Sequence, residues 1–521
     1  MNSTRKFDDK DQSTIHGTIR PADVREHDSI TAEVISVDPK IRFKKTMRVW
    51  RMSPLGVEIL CNDADLLPKG LSVDIELKVG FQSTTLSGLV VDDVVQEAGR
   101  HLLHIRLVPR IKERVESMER RKSARWICSE DFYPTAVASN PALFNDFIYF
   151  RVRDLSFGGL QLQTSLRNKF IVPGMIFECI VNFPMVSQVK MKIQIKAVRV
   201  DLQYGKEVLS MGATFDTNDK HIVQTVGQYL MQFSSVSSLR ELRKDGLIVD
   251  SVAEAIQFCY VRTKEEYEQV LELRREAYVE AGKIVESKTA FDMADELDSR
   301  ARIVIGKYKG KIVASARLIF NRFEDQMEQE KFVRWPMELP RRDEMVEITR
   351  MCTRPDFRKS DLLTSMLRFI AITVVQSKRC WIVICATDEM VPLYAKIGFH
   401  KVGLDYPHVA LNNKIHHVML ANVPDAMEGK TVGPVVWNLV WSEVSSYLEQ
   451  YGLIQPEPLT NVRLAIYRML RPFAKFAYYL SKRRAITKAM NPKRDQIAAP
   501  ATKPVPPRDR PSEKQSDQAG A

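Results

Sequence analysis

The spacing of apolar residues changes character along the chain. From residue 30 onward, short runs alternate between apolar and polar positions. Examples are Thr31-Ala-Glu-Val-Ile-Ser-Val, Ser72-Val-Asp-Ile-Glu-Leu-Lys-Val and Leu102-Leu-His-Ile-Arg-Leu-Val. A period of two is that of strands buried on one face, so the chain opens with β-structure. Similar alternation runs on to Phe215 and gives way to an expected helix at 221–233; Ser234-Ser-Val-Ser-Ser then suggests a linker. Past residue 258 helical and strand periods alternate. Helices are expected at 265–281, 361–376 (capped by Ser360) and 388–397, and strands at 301–308, 311–320, 345–352 and 380–386. Such alternation predicts an α/β domain.

The first β-segment looks like a diverged copy of the second. Trp50-Arg51-Met-Ser53-Pro-Leu-Gly56-Val-Glu-Ile-Leu parallels Arg153-Asp154-Leu-Ser156-Phe-Gly-Gly159-Leu-Gln-Leu-Gln, and Leu67-Pro-Lys-Gly70 parallels Ile171-Val-Pro-Gly174. The strand at Leu102 parallels Val208-Leu-Ser-Met-Gly-Ala-Thr-Phe215, so a tandem repeat is expected.

Composition narrows the class. Hydrophobic residues make up 45% and charged residues 27% of the 521, ordinary values for folded domains. Seven cysteines without a C-x-x-C pair indicate neither a disulfide framework nor a zinc site. The N-terminal residues lack the apolar core of a signal peptide, and no run of about eighteen apolar residues occurs. A cytoplasmic protein is expected, and no nucleic-acid partner. The net charge is +12, and much of it is local: residues 458–494 hold ten basic side chains and no acidic one. There Val462, Ile466, Met469, Phe473, Phe476 and Leu480 share one helical face, and Arg463, Arg468, Arg471, Lys475 and Lys482 the other. Pro472 should kink this helix, and such a helix lies on an anionic membrane surface or packs on its own domain.

Two signals in the second β-segment carry chemistry. Asp154-x-Ser156-x-x-Gly159 ends a strand in a turn whose side chains can bond backbone or a ligand's edge, with glycines that permit positive φ and close approach. Upstream, Arg120 and Arg121-x-x-x-Arg125 offer forked guanidiniums suited to phosphate and to stacking on a planar base. In this order, before a β-rich segment, they resemble the PilZ domain, a small β-barrel that binds cyclic di-GMP. The resemblance implies that Arg120, Arg121 and Arg125 grip phosphate and stack on guanine, while Asp154, Ser156 and Gly159 meet a guanine edge. In the first copy Arg51 stands where that motif wants Asp or Asn, and Lys44-x-x-x-Arg48 is a partial match. A guanidinium cannot accept from guanine N–H groups, so the first copy is expected to serve as a partner surface.

The α/β segment contains Leu393-Tyr-Ala-Lys-Ile-Gly-Phe399, close to the Leu-Tyr-x-x-x-Gly-Phe signature of the GNAT acyltransferases. With Asp295-x-x-Asp298, Ser315-Ala-Arg317-Leu and Glu347-x-x-Arg350, it resembles the N-acyl amino acid synthases and acyl-homoserine-lactone synthases among them. This implies transfer of a fatty acyl chain from acyl carrier protein to an amino acid or similar amine. In that reading Glu347 is base or amine-orienting group, Arg317 and Arg350 hold the acceptor's carboxylate or a phosphopantetheine oxygen, Asp295 and Asp298 face its ammonium, and Tyr394 protonates the departing sulfur. Members that use coenzyme A usually carry a glycine-rich pyrophosphate loop; here Arg358-Lys-Ser-Asp361-Leu-Leu363 has neither glycine and adds a carboxylate, which favours the carrier protein over coenzyme A.

The expected order is a disordered arm (1–28), a degenerate PilZ-like domain (29–115), a cyclic di-GMP-binding PilZ domain (116–235) and a linker (236–256). An acyl-synthase-like domain (257–425), a packing helix (430–455), a basic amphipathic helix (459–490) and a disordered tail (491–521) follow. The expected function is a cyclic di-GMP-responsive N-acyltransferase, located in the cytoplasm or peripherally at the inner membrane face. A receptor with a non-catalytic adaptor domain and a coenzyme A-dependent acetyltransferase are the alternatives.

Overall fold

The alternating runs close on themselves as two antiparallel barrels. A computed structural model describes residues 30–96, 100–108, 123–143, 145–203, 205–408, 413–452, 458–474, 476–478 and 480. The expected arm, the final tail, Arg120 and Arg121 lie outside these residues. The first barrel comprises β1 (Ile30–Ser36), β2 (Lys44–Ser53), β3 (Gly56–Cys61), β4 (Ser72–Val79), β5 (Gln82–Gln96) and β6 (Arg100–Leu107), in ring order β1-β2-β3-β6-β5-β4. In the second, β7 (Trp126–Ile127) pairs with the end of β9, next to a ring formed from six longer strands. These are β8 (Thr135–Ser139), β9 (Phe147–Leu155), β10 (Gly159–Ser165), β11 (Ile176–Phe183), β12 (Ser187–Gln203) and β13 (Lys206–Phe215). Their order is β8-β9-β10-β13-β12-β11, and β11 returns to β8. Alternate residues fill each interior, among them Val73, Ile75, Leu77 and Val79 in one barrel and Phe177, Cys179, Val181 and Phe183 in the other.

The two rings match strand for strand, and their irregularities fall at matching positions. A bulge interrupts β2–β3 between Val49 and Arg51, and another interrupts β9–β10 between Val152 and Asp154. Further bulges lie between Val90 and Asp92 and between Ile195 and Ala197. Bulges bend strands and sharpen twist, which a small closed barrel requires. The Gly70 N–H donates to the Val90 carbonyl (2.8 Å) and the Gly174 N–H to that of Ile195 (2.7 Å). The barrels touch at these hairpins. The Gln82 side chain donates to the Ile176 carbonyl (2.6 Å) and accepts from its N–H (3.0 Å), and Thr84 Oγ1 donates to the Pro173 carbonyl (2.9 Å).

Helix α1 (Lys220–Phe233) is capped by Asp219, whose carboxylate accepts from the His221 and Ile222 N–H groups. The expected linker is instead packed structure. It forms α2 (Leu239–Lys244) and buries Val236, Leu239, Leu242, Leu247 and Val249. Its serines are caps: Ser234 Oγ donates to the Leu230 carbonyl (2.5 Å), and Ser238 Oγ accepts from the Glu241 N–H (3.3 Å).

The last sheet contains β14 (Gln257–Tyr260), β15 (Ala301–Tyr308), β16 (Lys311–Ile319), β17 (Met345–Thr353), β18 (Trp381–Thr387), β19 (His400–His408) and β20 (Lys414–Asn422). Their order is β14-β15-β16-β17-β18-β20-β19, and β17–β18 is the parallel pair. Helices α3 (Lys264–Glu280, started by a Thr263/Glu266 capping box), α4 (Leu362–Gln376) and α5 (Val391–Lys396) complete this α/β domain. After α6 (Val423–Met427), a π-turn at Trp437–Trp441 leads into α7 (Ser442–Gln450). The buried Trp437 donates from Nε1 to the Met427 carbonyl (2.7 Å) and ties this segment to the domain. Helix α8 (Pro458–Met469) follows.

The repeat makes a stability comparison possible. Gly70 and Gly174 have φ of +84° and +94°, so alanine at either position carries a backbone penalty of about 1–2 kcal/mol. A Cβ at 174 would also lie 2.1 Å from Thr84 Oγ1, whereas at 70 nothing lies within 4 Å. In urea unfolding, Gly174→Ala should destabilise by roughly 1–3 kcal/mol more than Gly70→Ala. Equal losses would mean that the barrel contact carries no stability.

Candidate functional site

The parallel pair β17–β18 is in register at three positions: Met345 with Trp381, Val346 with Ile382 and Glu347 with Val383. Beyond Glu347 the strands part. There β17 also bulges against β16, because Ser315 pairs with Cys352 and Arg317 with Thr349, so Arg350 and Met351 together face Ala316. Arg350 takes φ of +50°. A regular strand would send residues 347 and 350 to opposite faces, and the bulge resets the phase. The gap opens into a cleft of about 580 Å³, with Arg350, Met351 and Tyr394 in its wall.

Glu347 does not line this cleft. It is fully buried, accepting from the Glu328 N–H (2.9 Å) and from Asn321 Nδ2 (3.0 Å), and burial pushes its carboxyl up to about 7 against both hydrogen bonds. The assignment of Glu347 as a cleft-facing base is therefore corrected: its strand position precedes the splay.

Arg317, Asp295 and Asp298 are engaged with one another, so none is free to take the acceptor's charged groups. Asp298 receives a bidentate pair from the buried Arg274 (2.7 and 2.9 Å) and a bond from the Tyr267 hydroxyl (2.8 Å). Arg317 reaches Asp295 (2.9 Å), Asp298 (3.3 Å), Glu328 (2.6 Å) and Thr349 Oγ1 (2.8 Å). Arg350 joins Asp295 (2.8 Å) to Glu328 (3.0 Å). Burial alone would raise the Asp295 carboxyl, but Arg317, the Leu297 N–H and Arg350 draw it far below the carboxylate range.

Tyr394 is in the cleft as expected. Its hydroxyl is 4.0 Å from Met351 Sδ, and burial pushes its pKa up to about 12, so it stays a proton donor. Other cleft groups were not anticipated. His408 and His416 line it from β19 and β20; burial, then the neighbouring His416, lowers His408 to about 4, and its Nδ1 has no partner among the described residues. Lys283 and Lys414 also line it, and burial, then Lys414, lowers the Lys283 ammonium. A signal was present in the sequence: four of the nine histidines fall within residues 400–417.

The loop before α4 also differs from expectation. Asp361 turns away from a phosphate position, accepting from Ser251 Oγ (2.6 Å) and the Val252 N–H (2.8 Å). Arg243 of α2 donates to the Arg358 and Lys359 carbonyls (2.7 and 2.8 Å).

In the second barrel, Asp154 lies at the bulge with an Arg125 nitrogen 3.9 Å away. Burial raises its carboxyl, against the charges of Arg125 and Arg199. The Ser156 N–H and hydroxyl both donate to the Gly159 carbonyl (2.8 and 3.1 Å). Neither Gly158 nor Gly159 takes a positive φ; Gly159 is instead needed for space, since a Cβ there would lie 3.2 Å from both the Ala213 carbonyl and Ser156 Oγ. Of the expected nucleotide-site residues, Arg125, Asp154, Ser156 and Gly159 therefore converge on one turn.

Residues 269–421 match the family model for N-acyl amino acid synthase FeeM. The structure is similar to FeeM, an N-acyl amino acid synthase from uncultured soil microbes, at 10% identity and TM-score 0.28, over 34% of this chain and 94% of that one. It is also similar to Escherichia coli ElaA (16% identity, TM-score 0.24, 32% and 99% covered). Over 39% of this chain and 85% of the other, it resembles K. pneumonia MrkH in complex with c-di-GMP (13% identity, TM-score 0.17). No curated protein matches the chain significantly. The family match and the geometry together support an acyltransferase-type function for this region.

The raised Glu347 carboxyl has a stability consequence. Between its unfolded value near 4.5 and its folded value of about 7, the native state binds the extra proton, so stability falls as pH rises through that window and levels off above it. The loss is roughly 3 kcal/mol. Asn321 Oδ1 lacks a partner among the described residues, so a turned amide could accept from a protonated Glu347 or from glutamine. Glu347→Gln should therefore raise the Tm at pH 8 and change it little at pH 5. A pH-independent effect would contradict the assignment.

Proposed function

We propose that the protein is a cyclic di-GMP-responsive N-acyltransferase that moves a fatty acyl chain from acyl carrier protein to the amino group of an amino acid or similar amine. The observation that carries this reading is the splayed β17–β18 pair, with its bulge at Arg350, inside the segment that matches the N-acyl amino acid synthase family. The acceptor nitrogen attacks the thioester carbonyl, the C–S bond breaks, and the amine's proton must leave while the thiolate gains one. Tyr394, held protonated in the wall, suits delivery to the sulfur. His408 and His416, kept uncharged by burial in the same wall, suit hydrogen bonding to the acceptor amine, whose proton leaves to solvent. Burial, then the neighbouring Lys414, lowers the proton affinity of Lys283, and a carboxylate between the two ammonium groups would relieve their repulsion, which favours an amino acid acceptor. Arg358 lines the same cleft from a loop without glycines, which suits a phosphopantetheine arm better than a pyrophosphate.

Responsiveness rests on α2, which contacts both functional regions. Toward the nucleotide motif, Glu241 accepts from Trp126 Nε1 (2.9 Å) and Asp245 from the Ala124 N–H (2.7 Å). Gly246, at φ +92°, packs under the Phe157 ring, where a Cβ would come within 3.1 Å. Toward the cleft, Arg243 holds the Arg358 and Lys359 carbonyls. A ligand that reorders residues 120–126 would move the same short helix that fixes the cleft loop. The adaptor reading draws support from how firmly this loop is tied and from the sealed position of Glu347.

Full-length protein with long-chain acyl carrier protein and a panel of amino acids should release free thiol and an N-acyl product. Tyr394→Phe should slow product formation about 10- to 100-fold, and Lys283→Ala should raise the amino acid KM more than it lowers kcat. Failure with every acyl donor would leave the adaptor; robust acetyl-coenzyme A turnover would favour the acetyltransferase.

Isothermal titration should detect cyclic di-GMP binding that Arg125→Ala or Asp154→Ala weakens at least about tenfold, or about 1.4 kcal/mol. Arg243→Ala should leave that affinity within about twofold yet abolish the nucleotide's effect on turnover. Unchanged affinity in both motif variants would remove the site, and intact regulation in Arg243→Ala would remove the route.

A further inference from the structure

Helix α8 is attached by the face opposite to its apolar one. Leu464 is buried, and the Tyr467 hydroxyl donates to the Gly429 and Val432 carbonyls (3.3 and 3.2 Å). Asn438 Nδ2 donates to the Tyr467 carbonyl (2.8 Å), and one Arg468 nitrogen reaches both Glu449 oxygens (2.6 Å each). The basic face expected to meet headgroups is thus partly spent on holding the helix to its domain. The helix is interrupted at Leu470, two residues ahead of Pro472, and resumes at 471–474.

What faces outward is a ridge with steps of three and four residues: Leu459, Val462, Ile466, Met469, Phe473, Phe476 and Leu480. All seven are exposed, from 36% for Leu480 to 82% for Leu459. About one apolar side chain per turn, all on one side, defines a surface built to leave water. The ridge extends over about 30 Å at 1.5 Å per residue.

Two occupants fit such a ridge, a second copy packed seam to seam or a lipid surface, and charge discriminates between them. Residues 470–494 contain eight basic side chains and no acidic one. Two copies would bring like charges together, whereas an anionic bilayer attracts them. Among the described residues no helix is long and apolar enough to cross a membrane, so the contact would be lateral.

We propose that α8 and the described residues after it, to Leu480, form a docking face that lies flat on an anionic lipid surface, the apolar ridge entering the headgroup boundary and the net basic charge of 470–494 adding attraction. This rests on the ridge and its charge alone, and it stands or falls separately from acyl transfer.

The test is co-sedimentation of full-length protein with phosphatidylcholine vesicles, with and without phosphatidylglycerol. Binding should be at least about tenfold stronger to the anionic vesicles and weaken as salt is raised. Phe473→Ser/Phe476→Ser, both exposed, should reduce it at least about tenfold with an unchanged Tm. Lys482→Ala/Arg483→Ala/Arg484→Ala should flatten the salt dependence. Equal binding by wild type and the phenylalanine variant, or equal binding to neutral and anionic vesicles, would overturn the proposal. So would light scattering showing a dimer that the phenylalanine variant dissolves, which would make the ridge a contact between copies.

Discussion

Three guanidiniums and three carboxylates neutralise one another beneath the cleft, and the α/β half of the molecule is arranged around them. Arg274 on α3, Arg317 on β16 and Arg350 on the β17 bulge face Asp295, Asp298 and Glu328 in a continuous chain of contacts. Burying a guanidinium without a partner would cost several kcal/mol, so the sites of Arg274 and Arg317, each fully buried, are tolerable only because the turns at 295–298 and 327–331 bring carboxylates to them. The chain has no room for a fourth charge. Glu347 lies beside it without a cation of its own among the described residues, and burial raises its carboxyl to about 7. Arg350 pays for its left-handed backbone through two ion pairs, and that conformation keeps β17 parted from β18. Cleft shape and charge balance are therefore one constraint.

A second constraint lies between the halves. The segment from Ser234 to Ile256 is short, but it buries apolar side chains and caps the loop before α4 with Arg243. Tyr308 and Lys309, at the β15–β16 turn, reach back to its start, where the Tyr308 hydroxyl donates to the Met231 and Val236 carbonyls (2.9 and 3.0 Å). Such a joint is stiff, because its polar bonds are directional and its apolar contacts leave little free space.

Much of this was legible in the sequence, and the misses share a cause. Period-two runs gave the strands, and the parallel between Leu67-Pro-Lys-Gly70 and Ile171-Val-Pro-Gly174 gave a repeat whose two rings close in the same order. The Glu347-x-x-Arg350 spacing located the strand that bulges at Arg350, but not that the fold would bury Glu347 away from the cleft. Spacing cannot say whether a charged side chain meets solvent or another charge. Asp295, Asp298 and Arg317 suit a substrate's ends in sequence, but the fold joins them to Arg274 and Glu328, which come from distant segments. The serines at 234 and 238 suggested a linker for the same reason, since a cap and a flexible joint use the same residue type. His408 and His416 become neighbours only when β19 and β20 pair.

The degenerate barrel separates what the turn motif does for the fold from what it offers a ligand. At matching positions, Ser53 Oγ accepts from the Leu55 and Gly56 N–H groups (3.2 and 3.3 Å), while Ser156 Oγ donates to the Gly159 carbonyl. Both serines close a turn after the same bulge, so serine and glycine persist where the acidic residue does not. Across that bulge Arg51 stands opposite Glu58 and pairs with it at 3.8 Å, whereas Asp154 stands opposite Gln161. In the first copy an acid on the next strand faces the arginine, and the two charges offset one another within the barrel. In the second, Asp154 has cations nearby at Arg125 and Arg199, and its raised carboxyl shows that they leave its burial incompletely compensated. An acid in that state gains from an N–H donor brought by a ligand, and the equivalent arginine has no use for one. Ser156 and Gly159 are then held by the fold, and under the proposed reading a ligand would be met by Asp154 and Arg125.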